Sequence, residues 1–183
     1  MARYDKLLSN NSQYRLELTV NQVSQSTSNN TSNVSWSLDV RKLSGTGYWA
    51  SNGPFNWSVN IGGVAKSGSI SSYDFRNYTT LNLGSGTVTI THDSNGQKSI
   101  SSTGSWTAAS SLGSATASGT MALTTINRIP NTPTLSSQNI TRSSFRINWS
   151  TNLTAKQVRY QIGGGSWVTL SASGTSGNFT VSG

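Results

Sequence analysis

A chain of 183 residues with no cysteine holds one large or two small domains and excludes disulfides and thiolate metal sites. Six Trp, six Tyr and four Phe spread along its length exclude a disordered polymer. The net charge of +8 comes from dispersed residues with Arg41-Lys42 as the adjacent pair, so nucleic acid is not an expected partner, whereas weak attraction to anionic surfaces is.

The chain opens with Met1-Ala2-Arg3-Tyr4-Asp5-Lys6 and lacks an apolar signal core behind it. No run approaches the roughly 18 apolar residues of a spanning helix, so cytoplasmic synthesis is expected and a membrane partner is not. Period-two alternation then dominates and predicts strands. Tyr14, Leu16, Leu18 and Val20 share one face, as do Val34, Trp36, Leu38 and Val40, with a polar loop expected from Ser24 to Asn33. Phe55, Trp57, Val59 and Ile61 make a further strand ending at Gly62-Gly63, followed by short strands over Ser67 to Ser72 and Thr79 to Leu83. Val88, Ile90 and His92 lead to Asp93-Ser94-Asn95-Gly96, a hairpin signal because Asn-Gly tolerates positive φ, and Ile100 to Trp106 would be the returning strand. The small residues Ala115, Ala117 and Gly119 predict a face pressed closely against another sheet or subunit. About eight strands with short turns predict an antiparallel β-sandwich, jelly-roll-like, over residues 1–126, with Trp36, Trp57 and Trp106 in its core.

Two of the three prolines fall in Asn127-Arg128-Ile129-Pro130-Asn131-Thr132-Pro133, which predicts a linker over 127–133. Beyond it Phe145, Ile147 and Trp149 alternate, and so do Val158, Tyr160 and Ile162 before a Gly163-Gly164-Gly165 turn. Strands over Trp167 to Leu170 and Asn178 to Val181 follow.

Chemistry is sparsely equipped. The carboxylates are Asp5, Glu17, Asp39, Asp74 and Asp93, placed on separate strands or loops, and His92 is the one histidine. A paired-carboxylate hydrolase needs two acids across one cleft, and these acids are expected to lie apart. His92 and Asp93 are neighbours that point to opposite faces of a strand, so Asp93 is expected to bond the turn backbone instead. Asp93-x-Asn95-Gly96 also lacks the acid about eleven residues on that a calcium loop requires. No catalytic residue, metal or cofactor is predicted, and the chain is expected not to be an enzyme. Loop aromatics are the remaining candidates, since a sugar lays its C–H face on an exposed ring while polar groups bond its edges. Tyr48 and Trp49, among Gly45, Gly47, Asn52 and Gly53, form one such group. Tyr73, Phe75 and Tyr78, with Asp74 and Arg76, form a second. The alternative is that these rings pack beneath their own loops or at a subunit contact.

Three stretches carry a family resemblance: Asn30-Thr31-Ser32-Asn33-Val34-Ser35-Trp36-Ser37-Leu38, Trp57-Ser58-Val59-Asn60-Ile61-Gly62-Gly63, and Gly86-Thr87-Val88-Thr89-Ile90-Thr91-His92-Asp93-Ser94-Asn95-Gly96-Gln97-Lys98-Ser99. In them residues 10–125 resemble a phage tail-fibre and minor-structural-protein family whose domain has no assigned function, in which the His-Asp-x-x-Gly-x-Lys element marks a β-hairpin. Residues 130–183, by a Pro-x-x-Pro-like entry at Pro130 and Pro133, a strand ending in Trp149 and a strand bearing Tyr160, resemble a fibronectin type III module, expected over 134–183 and incomplete because such a sandwich needs about seven strands. The resemblance implies a virion structural protein of the tail, exposed on the particle and aiding host attachment. Its implied partners are other virion proteins and further copies of itself such as a trimer, and the basic charge and loop aromatics add host cell-wall polysaccharide as an expected ligand. A capsid decoration or head-fibre protein, or a free carbohydrate-binding or adhesin module, is the alternative.

Overall fold

A computed structural model describes residues 1–107, 112–127 and 131–182. It is all-β and divides into two compact units, residues 1–126 and 127–183. Residues 128–130, the centre of the expected linker, lie outside the described residues.

Unit 1 is an antiparallel sandwich. Strand β1 (Ala2–Leu7), β2 (Tyr14–Ser26), β3 (Thr31–Lys42) and β8 (Thr80–Thr91) form one sheet in that order. The other runs β10 (Ser114–Ala122), β9 (Ser99–Thr107), β5 (Phe55–Ile61) and β6 (Val64–Ile70). Two short strands, β4 (Trp49–Ala50) and β7 (Tyr73–Asp74), pair with each other. The inward rows are those the alternation predicts: Tyr14, Leu16, Leu18 and Val20 on β2 and Val34, Leu38 and Val40 on β3 are fully buried. They meet Val59, Ile61, Ile100 and Trp106 of the facing sheet in one cluster.

Glycines set how closely the sheets approach. A Cβ on Gly104 would stand 2.5 Å from the Leu38 side chain, and one on Gly119 would stand 2.1 Å from the Tyr4 ring. The small residues of β10 thus seat β1 of the opposite sheet. Gly84 and Gly86 explain why the two strands expected around them are one. A Cβ at Gly84 would meet the Trp57 indole at 2.7 Å and one at Gly86 the Trp36 indole at 3.3 Å, so the glycines continue β8 while leaving room for both rings. Those indoles lie 6.0 Å apart.

Three expectations change. The polar loop shrinks to the turn over 27–30, because Ser24 pairs with Asn33, Gln25 with Ser32 and Ser26 with Thr31, and Asn30 adopts a positive φ of 54° there. The Asn95-Gly96 turn does not close a hairpin: β8 pairs with β3, whereas β9 pairs with β5 and β10, so residues 92–98 carry the chain from one sheet to the other. Strand β1 was not expected, since Tyr4 alone among its central residues is apolar; β1 lies at a sheet edge and, among the described residues, pairs with β2 only.

Unit 2 has β11 (Thr134–Gln138), β12 (Ser144–Tyr160) and β13 (Val168–Ser182) in one antiparallel sheet, order β11-β12-β13. Each of the last two merges strands expected separately. Ile147 pairs with Phe179 and Tyr160 with Val168. On a straight ribbon those rungs would stand roughly 40 Å apart at ~3.3 Å per residue. Yet the Tyr160 and Phe179 rings stack with centroids 4.9 Å apart. The ribbon therefore doubles over at its register shifts between Ser150 and Gln157. Trp149, Val158, Leu170 and Phe179 line the concavity this makes.

Candidate functional site

The loop after β3 and the segment around β7 build the aromatic surface of unit 1. Core side chains hold the loop. The Tyr14 hydroxyl donates to the Thr46 carbonyl at 3.0 Å and accepts from the Tyr48 amide at 3.2 Å. Burial pushes the Tyr14 hydroxyl pKa up, with the Tyr48 amide opposing the shift. The Phe75 amide donates to the Tyr48 carbonyl at 2.8 Å, the Lys42 ammonium donates to the Phe75 carbonyl at 2.7 Å, and the Leu43 amide donates to the Gln13 carbonyl at 2.7 Å. Gly47 fits because a Cβ there would stand 2.2 Å from the Phe75 carbonyl oxygen. The loop backbone is thus fixed before any ligand arrives.

The five candidate rings separate into two sets. Tyr73 and Phe75 are 2% and 0% exposed, in contact with Phe55, Trp106 and Tyr14, and offer no face to a ligand. This corrects the expectation for both: they sit beneath the loop as its support. Tyr48, Trp49 and Tyr78 reach the surface, at 36%, 55% and 66%. Register places Trp49 opposite Asp74. The Arg76 guanidinium lies 5.2 Å from the Trp49 ring centroid, and it donates to both Asp74 carboxylate oxygens, at 3.0 and 2.8 Å. These hydrogen bonds, together with one from the Arg76 amide, hold the Asp74 carboxyl down to about 2. An indole, a fixed cation and a fixed anion thereby share one surface, which suits a ligand with an apolar ring face and polar edges.

Register also assembles residues that the sequence left apart. Asp5, Glu17 and Asp39 stand abreast on β1, β2 and β3. Glu17 is held by Arg15 and by Arg41 at 3.8 Å, and Asp39 accepts from the Asn82 amide at 2.8 Å. Within the row Glu17 is the ion-paired member, and the three acids lie on three strands of one sheet, not across a cleft. Pairing partners alone could have revealed it, and a sequence does not state them.

His92 and Asp93 do separate things. The Gly96 carbonyl can only accept, so His92 Nδ1 carries the proton and donates to it at 2.8 Å. Ser32 then donates to His92 Nε2 at 2.7 Å while accepting from Gln22 at 2.9 Å. Asp93 Oδ1 accepts from the Asn95 and Gln97 amides at 2.9 and 2.8 Å, the turn role expected of it. The Asn30 amide group donates to the His92 and Asp93 carbonyls at 2.9 and 2.8 Å, tying this crossing to the turn between β2 and β3.

Fold and surface together define a two-unit all-β chain with a braced aromatic loop. Compared with known families, residues 1–183 match the family described as siphovirus protein of unknown function (DUF859), and the chain belongs to that family. No curated protein and no solved structure matches it.

Proposed function

We propose that the chain is a structural component of the siphovirus particle, exposed on the tail, that aids attachment by holding host cell-wall polysaccharide on Tyr48, Trp49 and Tyr78 without catalysing a reaction. The observation that carries this reading is the exposed Trp49 indole beside the Arg76–Asp74 pair, on a loop whose backbone is hydrogen-bonded to the core. A prearranged ring gives up little conformational freedom on binding, and its flat face is the natural partner of a sugar's C–H face. One such site is weak. Several copies on a particle raise the avidity, because each later contact forms at high effective concentration. The virion would thus supply other structural proteins and further copies of this chain as partners.

The test combines light scattering on the purified chain with titration of host cell-wall polysaccharide followed by Trp fluorescence. Self-association together with saturable binding supports the reading. A monomer that binds no polysaccharide, alone or when arrayed on a multivalent scaffold, overturns it.

A further inference from the structure

Unit 2 carries a second surface, independent of the Trp49 loop. Residues 146–150 of β12 pair with β11 on one side and β13 on the other. Beyond the bend, residues 155–160 pair with β13 alone, so among the described residues their other edge has no strand beside it. An unpaired edge presents a row of N–H and C=O groups that a further strand satisfies. Next to it lies a groove of about 490 Å³, whose walls include Pro133, Leu135, Trp149, Leu153, Ala155 and Val158. Leu135 is 64% exposed. Both requirements of strand addition meet here: backbone groups for pairing, and an apolar slot for every second side chain.

Charge selects the occupant. From residue 127 onward the chain has five basic residues, Arg128, Arg142, Arg146, Lys156 and Arg159, and no carboxylate. Lys156 and Arg159 are exposed on the free-edged stretch itself. A second copy of this unit would bring only like charge to it. We propose that the free edge of residues 155–160 and its groove receive an extended strand of another polypeptide, in which apolar side chains alternate with carboxylates. The apolar side chains enter the slot beside Leu135 and Val158, and the carboxylates face Lys156 and Arg159.

The probe is a synthetic peptide of about eight residues alternating Val and Glu, a length typical of a strand, titrated against the full chain at neutral pH. Saturable binding is expected, with slowed hydrogen exchange at alternate amides within 155–160. Replacing Glu by Lys in the peptide, or Lys156→Glu with Arg159→Glu in the protein, should weaken binding about fivefold or more, as expected for two exposed ion pairs. Unchanged thermal unfolding of the double variant shows that it is folded. Absence of binding overturns the proposal, as does equal binding of the Val-Lys peptide. Concentration-dependent protection of the same amides without peptide would overturn it in favour of a second copy of the chain.

Discussion

The two units cover the same kind of strand in different ways. Unit 1 closes its apolar rows with a second sheet, and its interior side chains are the most buried in the chain, with Tyr14, Leu16, Leu38 and Trp106 fully enclosed. Unit 2 folds one long ribbon over on itself, which covers Trp149 and Val181 but leaves Leu135, Ile162 and Trp167 exposed. Alternation gives a strand one apolar face in both cases. What lies over that face depends on pairing across long sequence distance, and the difference in closure follows from that.

This difference is broken most sharply by core truncation. Trp106→Ala should destabilise unit 1 by ~3–5 kcal/mol, since the indole is fully enclosed and the surrounding sheets cannot collapse into the space. Trp149→Ala should cost about 3 kcal/mol, at the low end of that range, and should leave amide protection in unit 1 unchanged. Hydrogen exchange followed unit by unit checks both; equal loss of protection in the two units for either variant would mean that they unfold as one.

The connection between the two sheets of unit 1 offers a finer test. Ser32→Ala removes the donor to His92 Nε2 and the acceptor of Gln22. Leaving a buried polar atom without its partner should cost ~1–3 kcal/mol in denaturant unfolding. Ser32→Thr, which keeps the hydroxyl, should recover part of it. A smaller effect is expected at the surface. The Asp74 carboxyl is lowered from 3.8 to about 2 by its bonds from Arg76. Its contribution is therefore complete above pH 3.8 and fades as pH falls toward 2. Because the pair is exposed, global stability should barely register this. Trp49 fluorescence of the folded chain should change as pH falls through about 2, where the Asp74 carboxyl takes up its proton and the Arg76 guanidinium loses its anchor, and Asp74→Asn should abolish the change.

The sequence was most legible where a residue's role is local. Alternation located the inward rows of β2, β3 and β5, and Asp93 bonds the turn backbone as short polar residues at turns do. It was least legible where position depends on distant partners. Strand β11 is exposed throughout, so it carries no apolar alternation to detect. The Asn95-Gly96 turn has hairpin chemistry, yet His92 hydrogen-bonds to Ser32 and Gly96 as the chain crosses between sheets. Tyr73 and Phe75 look like loop aromatics because two short strands and a polar segment surround them, but they fill the space beneath Tyr48 and against Tyr14. Only Tyr48, Trp49 and Tyr78 of the five candidate rings were thus left for the surface.

The attachment reading rests on Trp49 most directly. Its substitution should not disturb the fold, because the ring is more than half exposed, at 55%, and the bonds that brace the loop come from other residues. The decisive measurement is a titration of host cell-wall polysaccharide against the wild-type chain and against Trp49→Ala, each shown to be folded by its thermal transition. Binding weakened by about tenfold or more in the variant, equivalent to ~1.4 kcal/mol or more, is the predicted result. Equal affinity in a folded Trp49→Ala chain would contradict the account.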